Sequence, residues 1–202
     1  MAPSGPTEQS GTKTALAVLV CLTGCYNTDR VCSEAADYEA SVELGAWSNG
    51  GFSSLEDGDA VAPTFGPQGG EHLAASVRAS GVNPGNGEMK EDSGGLLGIF
   101  FPTTGAATVA TGRDPVNLTF RVHYEEGLLE SSEVVFETFL QGDVESAVSL
   151  EQTVFMNSWQ LSEAYPDEEF INATMRVKLV DACGTAVEDV REIRIVNTQN
   201  DI

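Results

Sequence analysis

Hydrophobic and polar residues alternate with a period of two along much of this chain, the mark of strands with one buried and one wetted face. The clearest case is Val116 to Tyr124. Val116, Leu118, Phe120, Val122 and Tyr124 share one side, and Asn117, Thr119, Arg121 and His123 share the other. Tyr38, Ala40, Val42, Leu44 and Ala46 alternate in the same way with Glu39, Ser41, Glu43 and Gly45. His72 to Ser80 reads as a strand with Leu73, Ala75 and Val77 inward and His72, Ser76 and Arg78 outward. Glu133 to Leu140, Ala147 to Phe155, and a last hairpin of Ile171 to Val180 with Val190 to Val196 complete the regular pattern. Leu96 to Phe101 is a short apolar run that predicts a buried strand closed by Pro102, and Ala60 to Phe65 predicts a short edge strand because Pro63 lacks a donor.

Between these runs lie turn formers: Ser48 to Gly51, Gly66 to Gly70, Glu125-Glu126-Gly127, Gln141-Gly142-Asp143, Pro166 to Glu169, and Asp181-Ala182-Cys183-Gly184. Phe52 to Gly58, Asn83 to Gly95 and Thr103 to Asp114 read as loops, though Ala107 to Thr111 could pair at an edge. Met156 to Phe170 is mixed, and no amphipathic helix of twelve residues is evident. About eight short strands at this spacing predict an all-β fold, a single antiparallel β-sandwich of immunoglobulin-like type over residues 36–202, with a jelly roll or irregular barrel as the alternative. The Cys…Trp…Cys core of antibody domains is absent, because Cys32 precedes the first strand.

Ahead of the domain the pattern changes. Met1 to Lys13 is polar, Thr14 to Leu22 is apolar, and small residues then meet Cys25. That is the order of a secretory signal, and the apolar run is well short of the roughly 20 residues that cross a bilayer. Leu22-Thr23-Gly24-Cys25 resembles the lipobox of bacterial lipoproteins, over the first 25 residues only. The resemblance implies cleavage before Cys25, a diacylglycerol on its Sγ, and acylation of the new amino group. Lys13 is the only basic residue of the leader, fewer than that pattern usually carries. Two or more chains anchor stably, since each buried methylene contributes about 0.8 kcal/mol. Tyr26 stands where an Asp would retain such a protein in the inner membrane, so the resemblance implies the outer membrane of a Gram-negative bacterium, with the body facing the periplasm or the surface. The expected organisation is a signal peptide over 1–24, a lipidated N-terminus and short tether over 25–35, and the sandwich over 36–202.

Charge and cysteines refine this. The mature chain would have 178 residues (202 minus 24), enough for one domain with a real core. Glu8 and Lys13 leave together, so 30 acids face 9 bases and the net charge stays at −21. Such a surface argues against nucleic acid, whose phosphates call for Lys and Arg, and against a body lying flat on anionic lipid. Cys21 leaves with the leader and Cys25 takes lipid. Cys32 and Cys183 are then an even pair in an oxidising compartment, and a disulfide between them is expected. In the chain-entropy model a loop that long contributes roughly 4–5 kcal/mol. The free tether would then be Tyr26 to Val31, about 20 Å at most.

Candidate chemistry is sparse. Asp92-Ser93-Gly94-Gly95 resembles the core motif of chymotrypsin-like serine proteases, which implies a nucleophilic Ser93. That family runs His, Asp, Ser over two barrels, whereas His72 lies only 21 residues before Ser93, so a polar loop explains the run better. His72 and His123 are the only histidines, both on outward faces, and no zinc-binding spacing occurs. Glu56-Asp57-Gly58-Asp59 is the best calcium candidate, through Asp57 and Asp59, because hard cations want clustered carboxylates. Its spacing is not that of an EF-hand, and a turn accounts for it equally well. Asp167-Glu168-Glu169 is a second acidic turn. Trp47 and Trp159 could stack on sugars, though core packing or a strand end explains them as well. Asn117-Leu118-Thr119 and Asn172-Ala173-Thr174 match a glycosylation pattern that a bacterial lipoprotein leaves bare.

The expected function is therefore a membrane-anchored envelope lipoprotein acting as a non-catalytic binding or structural module. Its partners would be the membrane, through lipid, and an envelope protein or glycan, with calcium as the one cofactor to test. Two alternatives come from other classes. One is an enzyme or accessory subunit acting on envelope polymers, which would need two converging carboxylates with separated pKa values. The other is a calcium-dependent adhesion or carbohydrate-binding module.

Overall fold

The structure, a computed structural model, describes residues 28–48, 50–65, 71–91, 108–125, 132–156 and 164–197. Val116–Tyr124 forms the strand its alternation predicts, inside a five-stranded sheet. Its five apolar side chains are all buried, while Asn117, Arg121 and His123 are exposed. In chain order the elements are α1 (Thr28–Ala35), β1 (Ser41–Ser48), β2 (Gly51–Ser54), β3 (Asp59–Val61), β4 (Thr64–Phe65), β5 (Glu71–Ser80), β6 (Asn86–Glu91) and β7 (Thr108–Arg113). They continue with β8 (Val116–Tyr124), β9 (Ser132–Thr138), β10 (Gln141–Gly142), β11 (Ala147–Val148), β12 (Gln152–Phe155), β13 (Phe170–Val180) and β14 (Ala186–Val196).

One sheet runs β10-β11-β5-β1-β2, with β12 and β4 also paired to β5. The other runs β3-β14-β13-β8-β9, and β6 with β7 makes a separate ribbon. In immunoglobulin lettering the first sheet holds A (β1), B (β5), E (β11 and β12) and D (β10). The second holds G (β14), F (β13), C (β8) and C′ (β9). Pairing is antiparallel except for β3, which lies parallel to β14 along Ile193↔Asp59 to Ile195↔Val61. The β6–β7 ribbon interrupts the link from B to C. The sandwich expected from the alternation is the fold observed, and it is immunoglobulin-like in strand order.

Inward faces of both sheets meet in one core. Leu44, Leu73 and Val77 come from the first sheet, and Leu118, Phe120, Met175, Leu179, Ile193 and Ile195 from the second. Phe120 meets the Phe136 ring edge-on, with centroids 5.9 Å apart. Burial of this apolar surface drives the folding of a chain whose net charge of −21 opposes compaction.

The structure corrects several local expectations. Residues expected to be tether form α1, with Asp29 in its first turn where an acid suits the helix dipole. Eight residues rarely hold a helix alone, and α1 is fixed by tertiary contacts. Tyr38 stands outside β1 and is exposed. The first three residues of the expected loop Phe52 to Gly58 belong to β2, which pairs back on β1. The expected edge strand Ala60 to Phe65 divides into β3 and β4, which join different sheets. The polar loop Asn83 to Gly95 contains β6, paired with β7 from Asn86↔Arg113 to Glu91↔Thr108. The expected strand Ala147 to Phe155 divides into β11 and β12. Ala147 opposes Ala79 and Gln152 opposes Ala75, so three residues (149–151) span the width of two on β5, a β-bulge. Ser149 bridges the gap: its hydroxyl accepts from Val77 N at 3.0 Å, and Ser76 donates its hydroxyl to Ser149 O at 2.8 Å. Ser76, expected outward, is thereby buried.

Leu96 to Phe101, Trp159, Gly66 to Gly70 and the leader with Cys25 lie outside the described residues.

Candidate functional site

Two poles cap the sandwich. At one, Gly81 N donates to Val144 O at 2.8 Å, and Leu140 N donates to Pro84 O at 2.9 Å. These bonds tie the start of the β5–β8 link to Leu140 and to the turn at 143–146. Asp181, buried at the turn between β13 and β14, organises the rest. Its Oδ1 accepts from Cys183 N at 2.9 Å and Thr185 N at 2.8 Å, and its Oδ2 accepts from Asn83 N at 2.7 Å. An aspartate that opens a turn and binds the backbone two residues on is a known local motif. The reach to Asn83 is not local.

The helix α1 docks on this same pole. Cys32 and Cys183 form a disulfide with Cα atoms 5.6 Å apart and a sequence separation of 151. The Thr28 hydroxyl donates to the Asp114 carboxylate, and Ala35 is buried. The expected pairing of Cys32 with Cys183 is therefore present, and it holds a helix rather than a loose tether. Cys25 precedes α1 by three positions.

The calcium candidate does something else. Asp57 Oδ1 accepts from Glu192 N at 2.9 Å, and Asp59 Oδ2 accepts from Glu56 N at 2.9 Å. Gly58 N donates to Glu192 O at 2.6 Å, and Arg194 Nε donates to Gly58 O at 2.8 Å. The Asp57-Gly58-Asp59 turn thus clips the edge strand β3 to β14. Among the described residues no group of three or more His, Cys, Asp or Glu comes together to hold a metal ion.

The two outer faces differ. On the five-stranded sheet, Arg121 and Arg176 lie directly opposite each other in register. Arg121 pairs with Glu133, and Arg176 pairs with Glu188 at 3.2 Å. Lys178 approaches the same Glu188 at 3.8 Å. With Arg194 stacked 5.0 Å from the Phe170 ring, four of the nine bases of residues 25–202 lie on this face. Val135 and Val190 are exposed on it, so it is mixed in charge and partly apolar within a strongly acidic molecule. Asn117 and Asn172 are exposed on this face too, and His123 is exposed beside them. On the seven-stranded sheet, Arg78 lies 4.4 Å over the Phe52 ring and 3.3 Å from Glu43. That ring fills the space above Gly45, where an added Cβ would come within 2.3 Å of it. His72 is half-buried on β5, and Trp47 is half-buried near the end of β1.

At the far pole, Tyr165 donates its hydroxyl to Glu125 O at 2.8 Å. Asn197 Nδ2 donates to Tyr165 O at 2.9 Å and Glu168 O at 3.0 Å. These bonds shape an open pocket of about 200 Å³ lined by Glu125, Tyr165, Glu168, Phe170, Ile171 and Asn172. The acidic turn at 167–169 is exposed there. Nearby, burial pushes the Tyr124 hydroxyl up to about 12, with the Ser132 hydroxyl opposing the shift from a position short of hydrogen-bond geometry. Neither Asp181 nor Asn197 stood out in the sequence. The one available signal was the Asp181-Ala182-Cys183-Gly184 turn, which marks a local motif without showing its distant partner. No helix among the described residues is long and apolar enough to cross a membrane. No protein-family model, curated protein or solved structure matches the chain.

Proposed function

We propose that this chain is an envelope lipoprotein, anchored through Cys25, whose sandwich serves as a non-catalytic binding or structural module. The observation that carries this reading is the Cys32–Cys183 disulfide, closed from within the short helix that follows a lipobox-like leader. Disulfides persist in oxidising compartments, which is where such a leader delivers its protein. Cleavage before Cys25 puts the acyl chains beside a folded body, and the outer membrane of a Gram-negative cell is the proposed address. The outer face of the five-stranded sheet supports a binding role. It is the area where a protein partner meets balanced charge and exposed Val135 and Val190 instead of a field of acids.

Intact mass of the protein purified from membranes of a Gram-negative host tests this, with wild type beside Cys25→Ser. A mass beginning at Cys25 plus diacylglycerol and an acyl chain, lost in the variant, is the expected result. An unmodified full-length mass in the soluble fraction would overturn the proposal.

A further inference from the structure

The attachment of α1 constrains how the domain stands on its anchor. The helix is pinned along its length, by Thr28 to Asp114, by Cys32 to Cys183 and by buried Ala35. It cannot swing out as an extra spacer without breaking those links. Only Tyr26 and Asn27 separate Cys25 from the first helical residue. Three Cα–Cα steps reach about 11 Å at most. The pole that receives α1 also carries the 143–146 and 181–185 turns. The far pole, with the Tyr165 pocket, lies at the other end of β13, whose eleven residues span about 36 Å.

Charge decides between standing and lying. Around the α1 pole, Asp29, Glu34, Asp37, Glu39, Asp143 and Glu145 are exposed, against Arg30 and Arg113. A body of net charge −21 laid along a membrane containing anionic lipid would bring far more like charge to the surface than one end does.

We propose that the lipidated domain stands upright on its α1 pole. In that pose the 143–146 turn is held near the headgroups, and the Tyr165 pocket is carried away from the membrane as the outward end. The occupant of the α1 pole is the headgroup surface itself, held there by the covalent anchor and not by charge. This rests on the lipoprotein reading above.

The test uses the full lipidated protein in vesicles of zwitterionic lipid with a minor anionic fraction. A donor dye is placed at Glu145→Cys or, in a second variant, at Asp167→Cys, and an acceptor dye is carried on the headgroups. Both positions are exposed, and retention of the Cys32–Cys183 disulfide is verified by mass. Energy transfer from position 145 should exceed that from 167 by roughly twofold or more, given a strand's length between the poles. Equal or reversed transfer in acylated, vesicle-bound protein overturns the upright pose while leaving the anchor standing. Protein that is not acylated and never joins the vesicles overturns the anchor, and the pose with it.

Discussion

The carboxylate of Asp181 accepts the backbone N–H of Asn83 at 2.7 Å, across 98 residues of sequence. This bond joins the last hairpin of one sheet to the end of β5 in the other. The same side chain also satisfies the N–H groups of Cys183 and Thr185. Asp181→Ala would leave three donors without their acceptor. An expected loss of about 3 kcal/mol follows, read from the urea midpoint, with Asp181→Asn losing less because one acceptor oxygen remains.

Removing the disulfide loosens the same pole by another route. Cys32→Ser should lower stability by about 2–5 kcal/mol, because the unfolded chain regains the freedom of a long closed loop. Hydrogen exchange should show α1 opening first, since its two turns depend on docking. Unchanged protection across residues 28–35 would mean that Ala35 and Thr28 hold the helix unaided.

Gly45 and Phe52 form a matched pair on the outer face of the seven-stranded sheet. A Cβ at position 45 would meet the Phe52 ring at 2.3 Å and Ser53 O at 2.5 Å. Gly45→Ala is expected to cost about 1–3 kcal/mol. Adding Phe52→Ala should recover part of that loss, a coupling that a double-mutant cycle measures directly.

Tyr124 sets an alkaline limit. Its hydroxyl ionises near 10.0 in the unfolded chain and is pushed up to about 12 by burial in the fold. Below pH 10 both states stay protonated and the fold keeps its full stability. As pH climbs from 10 toward 12 the unfolded chain ionises first, and stability falls by about 2 kcal/mol over that window. Tyr124→Phe should flatten this part of the stability-against-pH curve, and an unaltered slope would assign the alkaline loss to other groups.

Asp57 and Asp59 already serve backbone N–H groups. Millimolar Ca²⁺ should therefore leave the melting temperature within error, and chelation should do nothing. Asp57→Ala should still lower stability by about 1 kcal/mol, through the freed Glu192 N–H. A rise in melting temperature with Ca²⁺ that Asp57→Ala abolishes would restore the metal reading.

How much was legible in the sequence varies with the reach of the interaction. The strand at 116–124 shows in its own alternation because its burial pattern is a property of nine consecutive residues. The hairpin of β13 and β14 shows for the same reason, and its turn shows in Asp181 and Gly184. On the lipoprotein reading, which sets Cys21 and Cys25 aside, Cys32 and Cys183 could pair only with each other. By contrast, β2 and β11 are four and two residues long, too short to carry a period, and they exist because β1 and β5 present unpaired edges to them. The polar run that becomes β6 reads as loop until Thr108–Arg113 is laid beside it.

The sequence by itself determined the all-β class, the buried faces of the long strands and the acidic surface, and it made Cys32 with Cys183 the pairing expected on the lipoprotein reading. These depend on local period, on composition and on counting. Only the tertiary structure decided that residues 28–35 are a docked helix, that Asp57 is a clip to β14, and that Asp181 spans the sheets to Asn83. A hydrogen bond needs its two groups within about 3 Å. Which distant groups come that close is set by the register and packing of whole sheets, and no single stretch of the chain encodes it.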